Sequence, residues 1–240
     1  MRETDRRGHL TREMFRYMGY GGNTPDPEVA AEAELCLTRL LEETEPKTVW
    51  RRFPLELEGG DIVRVEGMEI RSGALHRNLK DCKEVILMAA TLGMAPDRMA
   101  ARAQAAGKMS RAVMLQAAAA ALIEEVCDEL NEQLRLEAAG EGKTLRPRFS
   151  PGYGDFRLEH QTDLFRILEV QKRIGVTLTE HLLMMPSKSV TAVIGISDTA
   201  PDTQCGEQGS RPVSGCGACD RTDCSFRRNT PEGARERSHR

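Results

Sequence analysis

The sequence predicts an α+β fold, a mixed sheet accompanied by helices, on three observations. Residues 9–20, 26–43 and 110–138 each carry apolar side chains at helical spacing. Residues 62–65 and 68–70 alternate in the manner of an antiparallel pair, close behind a Gly-Gly turn. Residues 84–93 and 189–197 have the apolar, partly β-branched composition of sheet strands.

Taken in order, residues 1–8 are charged and expected to be disordered, and the first helix puts Leu10, Met14, Phe15 and Met18 on one face before Tyr20-Gly21-Gly22 stops it. Asp26 is placed to cap a second helix with Pro27 in its first turn, running to about Glu43 with Val29, Ala33, Cys36, Leu40 and Leu41 inward. On that face Cys36 reads as a packed thiol. Residues 48–57 are extended, and Ser72 caps a short helix through Leu79. The run 84–93, bounded by charge and glycine, predicts a strand buried on both faces. Its end at Thr91-Leu92-Gly93, ahead of Ala95-Pro96-Asp97, reads either as ordinary core or as a strand-to-helix junction of the kind where ligands lie. A helix breaks at Ala105-Ala106-Gly107, and the long helix after it carries an alanine run, 117–121, that admits close packing. Leu164, Phe165, Ile167, Leu168 and Val170 give one further helix, closed by Lys172-Arg173-Ile174-Gly175. Residues 189–197 alternate as a strand.

Bulk properties exclude several classes. At 240 residues the chain can bury a core as one domain or two. Its 34 Lys plus Arg against 37 Asp plus Glu give a formal charge of −3, which offers no footprint for nucleic acid. No apolar run is long enough to cross a bilayer, and the start lacks a secretory signal, so a soluble cytoplasmic protein is expected. Seven cysteines in such a chain point to thiols or metal ligands rather than a disulfide framework.

The stretch 146–156, Arg-Pro-Arg-Phe-Ser-Pro-Gly-Tyr-Gly-Asp-Phe, is the strongest candidate site. Pro151 fixes its backbone, Gly152 and Gly154 permit left-handed conformations and close approach of a ligand, Arg148 can pair with a carboxylate, and Tyr153 can face a cation. The same residues also make an ordinary Pro-Gly turn. His160 and His181 lack spacing partners and read as packed or solvated.

Arg148-x-x-Pro151-Gly152-Tyr153 resembles the Arg-Pro-Ala-Pro-Gly-Tyr segment of the activation domain of cobalamin-dependent methionine synthase. A second block, residues 175–180 followed by Met184 or Met185, Pro186, Ser189 and Val190, is similar to that family's Leu-Thr-Glu…Met-x-Pro-x-x-Ser-Val segment. The resemblance is clear over 110–197 and thinner over 10–110. It implies a twisted, largely antiparallel sheet flanked by helices over 9–198, and binding of S-adenosylmethionine. In that reading Arg148 meets the ligand carboxylate, the main chain of Ser150, Pro151 and Gly152 contacts it, and Tyr153 borders the sulfonium. Glu180 either holds the binding loop by hydrogen bonds or simply starts a helix. Where the family has Pro-Ala-Cys-Pro after the tyrosine, this chain has Gly154-Asp155-Phe156.

Residues 199–226 turn to Pro, Gly, Ser, Thr and Cys, with Cys205, Cys216, Cys219 and Cys224 gathered in twenty residues. Four such thiolates suit a soft metal centre, a [4Fe-4S] cluster or alternatively zinc. Residues 227–240 read as a disordered tail. No Asp-x-His-x-x-Gly cobalamin signature occurs in the chain. The expectation is therefore a free-standing activation subunit in methionine biosynthesis. It would serve Co(II) cobalamin on a methionine synthase or corrinoid protein that lacks its own activation domain, with a reductase or other electron donor. The alternative is an iron-sulfur or zinc adaptor that binds no S-adenosylmethionine. A methyltransferase for another small substrate is disfavoured, because no Gly-rich loop follows a strand.

Overall fold

In chain order the helices are α1 (Glu3–Tyr17), α2 (Pro27–Glu43), α3 (Gly73–Asn78), α4 (Ala95–Ala105), α5 (Met109–Gly140), α6 (Gln161–Leu168) and α7 (Val170–Ile174). The strands are β1 (Lys47–Pro54), β2 (Glu56–Glu58), β3 (Ile62–Val65), β4 (Met68–Arg71), β5 (Cys82–Thr91), β6 (Thr144–Leu145), β7 (Thr177–Leu178), β8 (Met184–Met185) and β9 (Ser189–Ser197). The computed structural model describes residues 3–20 and 23–198. These fall into two compact units, a helical one of residues 3–43 and 98–122 and a sheet-bearing one of residues 44–97 and 123–198.

In the helical unit, Leu10 and Met14 of α1 are fully buried, as are Ala33, Leu37 and Leu40 of α2. Asp26 caps α2 as its sequence predicts, its carboxylate accepting from the Glu28 amide at 3.0 Å. Of residues 1–8, expected to be disordered, those from Glu3 onward are helical, since α1 begins there. Arg7 supplies the reason: it pairs with Glu34 and donates to Thr38 Oγ1 at 2.6 Å, so the charged leader is tied to α2.

The sheet-bearing unit is built on four strands in the order β1-β5-β9-β6, with β1 outermost. Every pairing among the described strands is antiparallel, so the sheet is not mixed in direction. On one face Phe53, Val85, Leu87 and Val193 join α6 and α7 in one apolar core. The opposite side chains, Ile86, Met88, Ala192 and Ile194, are buried too. Burial on both faces is what the run 84–93 predicts. The strand expected over 189–197 forms as β9 and is buried along nearly its whole length, because it lies inside the row, between β5 and β6. Leu55 marks where the chain leaves this sheet: its amide bonds the Lys83 carbonyl at 2.9 Å, and β2-β3-β4 follow as a separate meander. Its β3-β4 turn consists of Glu66 and Gly67, both with positive φ, the two-residue hairpin geometry.

The pattern from Leu164 to Val170, closed by Lys172-Arg173-Ile174-Gly175, predicts one helix, and two form. The face of Leu164 and Leu168 would return at Gln171 and Gly175 in an unbroken helix. Glu169, left-handed at φ 51°, shifts the phase by one residue, so that Val170 and Ile174 enter the core instead. Among the described residues no helix is long and apolar enough to cross a membrane.

Candidate functional site

After α5 the chain is delivered to the candidate site by a charge cluster. Arg52 bonds Glu84 at 2.5 Å and Glu141 at 2.8 Å, and Lys143 bonds Glu84 at 2.8 Å. These cations hold the Glu84 carboxyl down to about 2. The segment then runs along β9: Thr144 faces Ser197, the Arg146 amide donates to the Gly195 carbonyl at 2.8 Å, and Phe149 and Val193 exchange hydrogen bonds of 2.8 and 2.9 Å. Gly195, beside this passage, is crowded chiefly by Cys82 and Leu79. A Cβ there would lie 2.7 Å from Cys82 Sγ, 2.8 Å from Leu79 Cδ2 and 3.1 Å from Arg146 Cγ.

Residues 150–156 form a closed turn. The Tyr153 amide donates to the Ser150 carbonyl at 3.2 Å, that of Phe156 to Tyr153 at 3.0 Å, and that of Gly152 to Phe156 at 2.7 Å. Gly152 sits at φ 93°, a conformation closed to other residues, so this glycine is fixed by the turn whatever binds there. Pro151 is buried, Ser150 half-buried, and Tyr153 stands 68% exposed. Below them Phe156 is buried and stacks on Phe149 at 6.3 Å between ring centres. Asp155 pins the turn from the side: its carboxylate accepts from Ser72 Oγ at 2.5 Å and from the Gly73 and Ala74 amides at 2.8 and 3.0 Å. It therefore serves the α3 N-terminus, and those donors hold its carboxyl below the usual aspartate range.

Arg148 reaches α5, where Nη2 bonds Asp128 at 2.9 Å and Glu124 at 3.3 Å. Its Nη1 is buried with no hydrogen-bond partner. Cys127, beside these carboxylates in sequence, is a buried thiol pushed up to about 12 by desolvation, hence not a nucleophile.

The second block forms the β7-β8 hairpin and the start of β9. Thr179 closes its loop, exchanging backbone bonds with Leu183 and Leu182, and Thr179 Oγ1 accepts from the Leu183 amide at 3.1 Å. Glu180 lies exposed in this loop; no helix starts there, which removes one of its two expected roles. Ser189 Oγ donates to the Pro186 carbonyl at 2.8 Å and lies 2.8 Å from Thr91 Oγ1. Register puts these pieces together. Thr91 at the end of β5 faces Ser189 at the start of β9, and the chain passes Val193 at Phe149 heading toward that same end. The Thr91–Gly93 junction and the Pro186–Ser189 corner thus share one end of the sheet, and the 150–156 turn leaves β9 at its midpoint on the way toward that end.

His160 packs on Phe156 at 5.7 Å and lies 3.4 Å from Asp163, while His181 is exposed. Among the described residues no group of three or more His, Cys, Asp or Glu could hold a metal ion. Cys205, Cys216, Cys219 and Cys224 lie outside the described residues, as does the tail 227–240. Two features of the site were not foreseen, the Asp155 clamp and the carboxylate pair on Arg148. Both join positions 20 or more residues apart, which no local pattern relates.

A family model described as the vitamin B12-dependent methionine synthase activation domain matches residues 76–213. The chain belongs to this family. Among solved structures, the crystal structure of the MetH reactivation domain bound to AdoHcy is similar, with a TM-score of 0.56 and 18% identity over 80% of this chain and 77% of that one. At that identity the likeness establishes the shared fold, the helix-flanked antiparallel sheet. No curated protein matches the chain by sequence. The stretch that matches the activation-domain family takes in both blocks of the candidate site and stops ahead of Cys216.

Proposed function

We propose that this activation domain binds S-adenosylmethionine on the 148–153 turn and supports reductive remethylation of Co(II) cobalamin held by a methionine synthase or corrinoid protein in trans, in the cytoplasm, as part of methionine biosynthesis. The observation that carries the reading is Arg148, a cation on a rigid turn whose buried Nη1 lacks an acceptor. A buried unmet donor is costly, and a ligand carboxylate would satisfy it with a charge-assisted bond. The rest of the turn suits the remainder of that ligand. Gly152 leaves the main chain of 150–152 open to close approach, and the exposed Tyr153 ring can face a sulfonium. Glu180, exposed on the hairpin loop, is available to hydrogen-bond a ligand hydroxyl or amine. When bound, S-adenosylmethionine supplies the methyl group, and a reductase or other donor supplies the single electron that Co(II) requires. Cys205, Cys216, Cys219 and Cys224 would hold a [4Fe-4S] cluster, with zinc as the alternative, and iron there would offer a relay for that electron.

A second reading, an electron-transfer adaptor that binds no S-adenosylmethionine, is favoured by the two carboxylates already on Arg148. Calorimetric titration of S-adenosylmethionine into anaerobically purified protein decides between the two. Saturable binding, weakened roughly tenfold or more in a folded Arg148→Ala variant, is expected from loss of one charged hydrogen bond. Absence of binding to the wild type, with and without the cobalamin protein, leaves the adaptor. Iron and zinc analysis of the same preparation, and of Cys219→Ser, identifies the metal.

A further inference from the structure

The helical unit contains a hollow that the candidate site does not use. It is lined by one face of α2, one face of α4, the start of α5 and the short turn that joins α4 to α5. The space, about 220 Å³, exists because Ala103 of α4 and Ala106 of the turn after it stand where larger side chains would fill it. Its floor is apolar, with Cys36, Met99, Ala103 and Leu115 all buried. Its charged lining is Arg39, Arg102, Lys108 and Arg111 against Glu32 and Glu43, so four cations face two carboxylates. Arg111 and Glu32 pair with each other. That leaves three cations and Glu43, an excess of positive charge over an apolar floor. No acidic residue stands in the first turn of α5, whose start borders the hollow, so nothing of the helix itself occupies its positive end.

We infer that this hollow binds a small organic anion, a compact apolar body with one phosphate or carboxylate head, the body on Met99 and Leu115 and the head among Arg39, Arg102 and Lys108. The space is below the roughly 300–1,000 Å³ of pockets that take drug-sized ligands, which limits the body to about one ring or a short chain. The buried Cys36 thiol contributes shape rather than chemistry, since burial raises its pKa and disfavours the thiolate.

The test uses the full chain with methyl-labelled methionine and phenyl phosphate as probe, phenylacetate as its carboxylate counterpart and benzyl alcohol as its neutral one. The Met99 methyl signal, assigned with Met99→Leu, should shift saturably with phenyl phosphate or phenylacetate, and not with benzyl alcohol at the same concentration. The stronger of the two anions names the head group. Arg39→Gln with Arg102→Gln should weaken the shift at least about tenfold, the loss of charged hydrogen bonds. Ala106→Trp, which fills the hollow and keeps all the cations, should abolish it with the helical fold retained by circular dichroism. A shift that benzyl alcohol reproduces, one that survives Ala106→Trp, or no shift at Met99 overturns the proposal. Neither S-adenosylmethionine nor Arg148 enters this readout, so it stands or falls separately from the function proposed above.

Discussion

The two blocks that build the candidate site are held in opposite ways. The 148–156 turn is clamped from three sides: by Phe149 on β9, by Phe156 in the core, and by Asp155 on α3. The 179–189 block is held mainly at its far end, where Ser189 meets Thr91 and Ser187 meets Asp97, with one long bond of 3.4 Å from Gln161 to the Leu182 carbonyl at its tip, while Glu180, Leu183 and Met185 stand in solvent. A preorganised turn lowers the ordering cost of binding, whereas an open loop leaves groups free to close on whatever arrives. The difference teaches that affinity should reside in the first block and adaptability in the second.

The largest effect is expected where the first block lies against the sheet. Gly195→Ala forces its methyl onto Cys82, Leu79 and Arg146, and should cost about 1–3 kcal/mol in urea unfolding, as overpacking does. An unchanged unfolding midpoint would mean that β9 is not packed at Gly195 against Cys82 and Leu79 as described. Next, Ser189→Ala strands the Pro186 carbonyl beside Thr91 and should cost about 1–2 kcal/mol. If it also weakens S-adenosylmethionine binding as strongly as Arg148→Ala does, the contrast between the blocks fails.

Asp155 sharpens the comparison through pH. Its folded pKa is depressed, so its contribution is complete above the ordinary aspartate value near 4 and is lost as pH falls through the lower folded value. Asp155→Asn should therefore flatten that acid limb of the thermal melting profile and speed proteolytic cutting near residue 153 at neutral pH. A variant whose acid limb matches wild type would remove the clamp. The smallest effect belongs to Glu180→Gln, which should leave the melting temperature unchanged because the side chain is exposed. Weaker ligand binding in that variant would give Glu180 its contact, and unchanged binding would deny it.

Most of the sheet was legible because local chemistry decides it. Asp26-Pro27 and Ser72 announce their helices by capping, and 84–93 announces an interior strand by unbroken apolarity. What could not be read depended on the third dimension. Residues 189–197 show a strand by alternation but not its interior place between β5 and β6, and nothing local tells that Glu169 resets a helix for the sake of Val170 and Ile174. At the site, Arg148 and Gly152 stand out by residue type. Asp155 does not, since its partners are Ser72, Gly73 and Ala74, a long loop closure away. Residues 3–8 misled for the converse reason: a charged leader looks solvated until Arg7 finds Glu34 and Thr38.

The outermost place of β1 in the main sheet bears on how the protein behaves at high concentration. Among the described residues β1 has a strand neighbour on one side, and such a strand can template the pairing of another chain. Here that strand begins with Lys47, carries Arg51 and Arg52 midway and ends in Pro54, the charges and imide that discourage a foreign strand from adding. The same arginines tie the strand inward, Arg51 to the Ile167 carbonyl and Arg52 to Glu84, so one pair of side chains serves both the folded contact and the guarding of the edge.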